Sequence, residues 1–126
     1  MQEEILNNIK KISEANPEEE VCGFWVSCKK QPIIQCKNVA LDRENNFEIS
    51  AEEYINTFNT KNIILLFHSH PKDTERFSKE DLYISQQLEM PILVYSNATK
   101  KFNFYKPDSI KKNKTLNTIE KSVVTY

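Results

Sequence analysis

The residues of this chain best suited to chemistry gather in one short span. The apolar run Ile63-Ile64-Leu65-Leu66-Phe67 stops abruptly at His68-Ser69-His70-Pro71, which holds the only two histidines of the sequence. A short, continuously apolar run closed by proline reads as a buried strand. Side chains alternate along a strand, so His68 and His70 share a face. Two imidazoles on one stiff element can bind one metal, since zinc accepts histidine nitrogen at about 2.0–2.1 Å. Asp81 is the candidate third ligand, leaving a fourth position for water as in catalytic rather than structural zinc sites.

A simpler reading of the downstream residues competes with this one. Ser78-Lys79-Glu80-Asp81 has the Ser-x-x-acid spacing of a capping box, which would start a helix running through Leu82, Ile84 and Leu88. A cap accounts for Ser78 and Asp81. It leaves the histidine pair unexplained.

The elements that must position these groups follow from periodicity. Ile5, Ile9 and Ile12 mark an amphipathic helix from Glu3 to Ala15, closed before Pro17. Val21 to Cys28 reads as a first strand and Ile33 to Val39 as a second, antiparallel to it, joined at Lys29-Lys30-Gln31-Pro32. Phe47-Glu48-Ile49 is a short extended piece, and Ser50 with Glu53 starts a helix through Tyr54, Ile55 and Phe58. Beyond the Ser78 helix, Pro91 to Tyr95 and Lys101 to Tyr105 form a hairpin about Asn97-Ala98-Thr99-Lys100. The lysine-rich stretch after Lys106 shows no periodicity until Val123-Val124 and is expected to pack weakly.

Composition narrows the field. A chain of 126 residues is one domain, large enough to bury about two-thirds of its unfolded surface. A formal charge of −1 gives no long-range field, so neither nucleic acid nor an anionic membrane is expected as a partner. Cys22, Cys28 and Cys36 are odd in number and form no Cys-x-x-Cys pair, which reads as reduced, mostly buried thiols. The start Met1-Gln2-Glu3-Glu4 is unlike a signal peptide and no apolar run is long enough to cross a bilayer, so folding in cytoplasm is expected.

Taken together, Glu20-Val21-Cys22-Gly23, His68-Ser69-His70-Pro71 and Ser78-x-x-Asp81 resemble the JAB/MPN family, specifically its JAMM zinc metallopeptidases. The blocks stand in the family's order, with ten residues between His70 and Asp81. The resemblance implies a cytidine-deaminase-like, three-layer α/β (α+β) fold whose mixed, mostly antiparallel sheet is flanked by the first helix and the Ser78 helix. It assigns residues 1–107 to a JAB/MPN metallopeptidase domain and leaves 108–126 as a poorly defined C-terminal extension. By the same resemblance His68, His70 and Asp81 bind one Zn²⁺ per chain, Glu20 holds and deprotonates the metal's water, and Ser78 supports the oxyanion. Sequence chemistry alone would leave Glu20 as one solvated acid among Glu18, Glu19 and Glu20. Phe77 stands where many relatives have proline, and the Lys72–Arg76 loop lacks a glycine they often carry.

The expected activity is hydrolysis of a peptide or isopeptide bond in a protein or peptide substrate. The compact span between Asp81 and Pro91 leaves no room for the long insertions of ubiquitin-chain isopeptidases. The order of Pro91–Tyr95 and Phe102-x-Phe104-Tyr105-Lys106-Pro107 is similar to K-type phage tail-assembly peptidases, whose setting would be host cytoplasm or the virion tail. A bacterial protease processing a ubiquitin-like or sulfur-carrier protein is the alternative, and a non-catalytic MPN scaffold is a third reading of another class.

Overall fold

A computed structural model describes residues 2–111 and 113–126. The described elements run α1 (Gln2–Glu14), β1 (Cys22–Val26), β2 (Ile33–Cys36), α2 (Ala51–Thr60), β3 (Ile63–His70), α3 (Lys79–Leu88), β4 (Ile92–Ser96), β5 (Phe102–Tyr105) and α4 (Lys114–Thr125). The five strands form one sheet in the order β2-β1-β3-β4-β5. Only β3 and β4 are parallel, because α3 carries the chain across between them; the other neighbours are antiparallel.

Alternation along the central strands makes two apolar layers. Trp25, Leu65, Phe67, Leu93 and Tyr95 face α1 and α4, where Leu6, Ile9 and Ile119 are wholly buried. Cys22, Phe24, Val26, Leu66 and Ile92 face the other way, against Tyr54 of α2 and Ile84 of α3. Helices therefore cover both faces of the sheet, as the sequence suggested for α1 and α3. The central strand β3 is buried from Leu65 onward, which is why its sequence is a continuous apolar run rather than an alternating one.

Two expectations change, and one short piece stays outside the sheet. The second strand ends at Cys36 instead of Val39, since Asn38 Oδ1 accepts from Ala40 N at 3.0 Å and turns the chain out of the ladder. Phe47-Glu48-Ile49 joins no sheet and is held by a bond from Val39 N to Glu48 O. The stretch after Pro107, expected to pack weakly, instead forms α4. Asn113 caps it by accepting from Leu116 N at 2.9 Å. Leu116, Ile119 and Val123 recur at helical spacing and seat α4 beside α1 and β5.

Gly23 is the only glycine of the chain, and close approach is the reason for it. It pairs with Phe67 on one side and Gln35 on the other. A Cβ at this position would lie 2.1 Å from the Ile34 carbonyl oxygen and 2.8 Å from the Phe67 ring. The ring could turn, but the carbonyl belongs to a paired strand and cannot yield without shifting β2. Gly23→Ala is expected to destabilise the protein by about 1–3 kcal/mol, the usual range for overpacking. A chemical-denaturation midpoint equal to that of the parent would contradict this account.

Candidate metal centre

The C-terminal end of β3 delivers His68 and His70 to the α2–α3 side of the sheet. Ser69 points to the opposite side, as alternation requires, where its Oγ accepts from Val21 N at 2.9 Å. Glu20 arrives from the segment just before β1, not from within a strand. Of the three acids in its run Glu18 is exposed, Glu19 pairs with Arg43, and Glu20 is 5% exposed. The nearest ligand atoms of Glu20, His68 and His70 lie within 4.8 Å of one another, close enough to hold a metal ion.

Asp81 closes the opposite side. Its Oδ1 lies 3.1 Å from His68 Nε2 and its Oδ2 3.3 Å from His70 Nε2. The capping box is also present: Ser78 Oγ accepts from Asp81 N at 3.0 Å, and Asp81 Oδ2 accepts from Ser78 N at 2.9 Å. Capping and the candidate site therefore use the same two residues, because the cap fixes the rotamer that aims Asp81 at the imidazoles.

His70 Nδ1 lies 2.7 Å from the Thr74 carbonyl, which accepts a hydrogen bond only if Nδ1 carries the proton. This leaves Nε2 with its lone pair toward the centre, the arrangement that orients metal-binding histidines. The carbonyl is in turn fixed by the β4–β5 hairpin. Ser96 Oγ donates to Asp73 O at 2.6 Å, Asn103 Nδ2 to Glu75 O at 3.1 Å, and Thr99 Oγ1 to Glu75 Oε1 at 2.6 Å. These ties hold the Lys72–Arg76 loop without a glycine.

His68 is the strongest indication of a metal site. It is completely buried, and Glu20 Oε1 stands 3.2 Å from Nδ1 just as Asp81 stands near Nε2. Neither contact is aligned as a hydrogen bond, so both buried ring nitrogens lack a directed partner. Buried polar atoms are rarely left so. An imidazole between two carboxylates with its ring nitrogens unspent has the donor chemistry of a metal ligand, and the residues present fit a divalent cation. Without one, burial pulls the His68 pKa down, but the Asp81 and Glu20 carboxylates outweigh it and raise the value to about 9. Burial pushes the Asp81 carboxyl up, while His68 and His70 hold it well below the usual carboxylate range.

A family model for prokaryotic homologs of the JAB domain matches residues 2–108. The chain belongs to the JAB-domain family. The fold of this JAB-domain protein is similar to that of protein DSY2949 from Desulfitobacterium hafniense, with TM-score 0.60 and 19% identity, covering 79% of this chain and 75% of that one. It is also similar to a protein from Salinibacter ruber, with TM-score 0.50 and 17% identity, covering 88% and 90%. Among curated proteins no relative matches. No helix among the described residues of this JAB-domain chain is long and apolar enough to cross a membrane.

The structure brings together all five residues singled out in the sequence: Glu20, His70, Ser78 and Asp81 line a cleft of about 280 Å³ whose wall includes Phe47, Phe77 and Ile84, and His68 is buried against Glu20 and Asp81. Cys22, opposite His68 in the sheet, is a core thiol pushed up to about 12 by burial and by the nearby Glu53 and Glu20. Sequence reasoning missed Thr74, Phe47 and Asn38. The Phe47 ring stacks on His68 at 4.6 Å and 22°. No local pattern marks Thr74, whose contribution is a backbone carbonyl.

Proposed function

We propose that the protein is a zinc-dependent peptidase that hydrolyses a peptide or isopeptide bond in a protein substrate. The observation that carries this reading is the buried Glu20, His68 and His70 group, with Asp81 against it, opening on a cleft. His68, His70 and Asp81 would hold the zinc. When bound, zinc supplies a Lewis acid for the scissile carbonyl and lowers the pKa of water toward 7. The Glu20 carboxylate, held beside the imidazoles, takes a proton from the attacking water and returns it to the leaving amine. Ser78 Oγ accepts from the Asp81 N–H, so its own hydrogen is free to donate to the carbonyl oxygen as negative charge develops there.

Ser78→Ala separates the two roles of the hydroxyl. Loss of the cap costs about 1 kcal/mol, as Ser50→Ala should cost at the corresponding position of α2. Loss of an oxyanion donor lowers kcat by roughly 10²–10³-fold. Equal kcat in the two variants would reduce Ser78 to a helix cap.

The experiment that tests the reading is zinc per chain in protein purified without added metal, with His70→Ala beside it. One zinc in the parent and none in a folded variant supports the site and justifies assay on phage tail proteins and on ubiquitin-like or sulfur-carrier tails. We favour the former because the β4–β5 hairpin and the segment after it resemble the K-type tail peptidases. Absence of zinc from both proteins after supplementation at neutral pH would leave a docking domain with an inherited motif.

A further inference from the structure

Asn38 is buried beside the Glu20 main chain and uses the full hydrogen-bonding capacity of its side chain. Its Nδ2 donates to Glu20 O at 2.9 Å and to Asn46 O at 3.0 Å, while its Oδ1 accepts from Ala40 N at 3.0 Å and from Glu48 N at 3.1 Å. The first of these bonds acts on the acid. Glu20 lies outside the strand ladder, yet its N–H donates to Arg43 O at 2.7 Å and its carbonyl is held by Asn38. The next residue is fixed as well, through Val21 N to Ser69 Oγ.

Two other bonds act on the metal-binding side. Asn46 O and Glu48 N lie on either side of Phe47 in the chain, and the Phe47 ring covers His68. One buried amide thus ties the segment carrying Glu20 to the segment that packs on His68. We propose that Asn38 is a positioning residue that sets the Glu20 carboxylate against the His68 imidazole. Its catalytic consequence rests on the peptidase reading; its structural content does not. An asparagine that only stabilised a loop would lower the melting temperature when replaced but would not shift the His68 ring.

The test is carbon–proton NMR of the two histidine rings in the full-length chain, for the parent, Asn38→Asp, Phe47→Leu and Thr57→Ala. Asp keeps the acceptor for Ala40 and Glu48 but loses both donors. Thr57 is a buried hydrogen-bonding residue of α2 away from the cleft, so its replacement controls for stability alone. Stacked on an aromatic face, the His68 ring proton is displaced by the Phe47 ring current. The expected result is a shift of the His68 signal in Asn38→Asp in the same direction as in Phe47→Leu, with the His70 signals in place and no change in Thr57→Ala.

In the zinc-loaded protein, Asn38→Asp should lower kcat on the order of 100-fold with KM little changed, as for a misplaced catalytic group. A folded Asn38→Asp protein with a parental His68 signal overturns the proposal. Should that variant not fold, Asn38→Ser, which is neutral and too short to span the same partners, takes its place: a parental His68 signal there overturns the proposal equally. Zinc loss or inactivity of the parent would instead count against the peptidase reading and leave the NMR result to stand by itself.

Discussion

Glu20→Gln should retain one zinc per chain and lose about 10²–10⁴-fold in turnover, the range for removal of a general base. Glutamine keeps the shape of the side chain, and the bonds that hold residue 20 run through its main chain to Arg43 and Asn38. What the substitution removes is the capacity to take and return a proton. The measurement also decides a point of geometry, because Glu20 groups with His68 and His70 as closely as a ligand would. Loss of zinc along with activity would make Glu20 part of the metal shell. Unchanged turnover would remove it from the mechanism. Glu19→Gln, at a half-exposed side chain paired with Arg43, should change neither quantity.

The parts of this protein legible in its sequence are those written in consecutive residues. The apolar run of β3 is unbroken because the strand is buried on both faces, and alternation then dictates that His68 and His70 emerge together. The Ser78–Asp81 spacing is likewise local, since a capping box closes within one turn. Glu20 is different: nothing in three consecutive acids says which one turns inward, and only the family resemblance selects it. The structural reason lies far away in the chain, in Arg43, Asn38 and Ser69. For α4 the difficulty was dilution, with three apolar residues at helical spacing among lysines, asparagines and threonines. Its burial depends on partners in α1 and β5 that no local window contains.

Removal of metal should invert the pH dependence of stability. In the metal-free protein His68 titrates at about 9, above the 6.5 of an unfolded imidazole. Its charged form, held between Asp81 and Glu20, stabilises the fold fully below pH 6.5 and is lost as pH rises through about 9. The depressed Asp81 carboxyl adds stability above its ordinary value of 3.8 that is lost as pH falls below it. Both shifts describe largely one ion pair, so they do not add. Metal-free protein should therefore be most stable on the acid side of neutrality, losing at most about 3 kcal/mol, or on the order of 10 °C in melting temperature, between pH 6.5 and 9. With zinc in excess the sign reverses, because the ligand imidazoles must be deprotonated to bind and affinity rises with pH. Melting curves with chelator and with zinc, at pH 6 and pH 9, measure both slopes. Asp81→Asn should flatten the metal-free profile. A metal-free melting temperature that does not change over this interval would mean that His68 stays neutral between the two carboxylates.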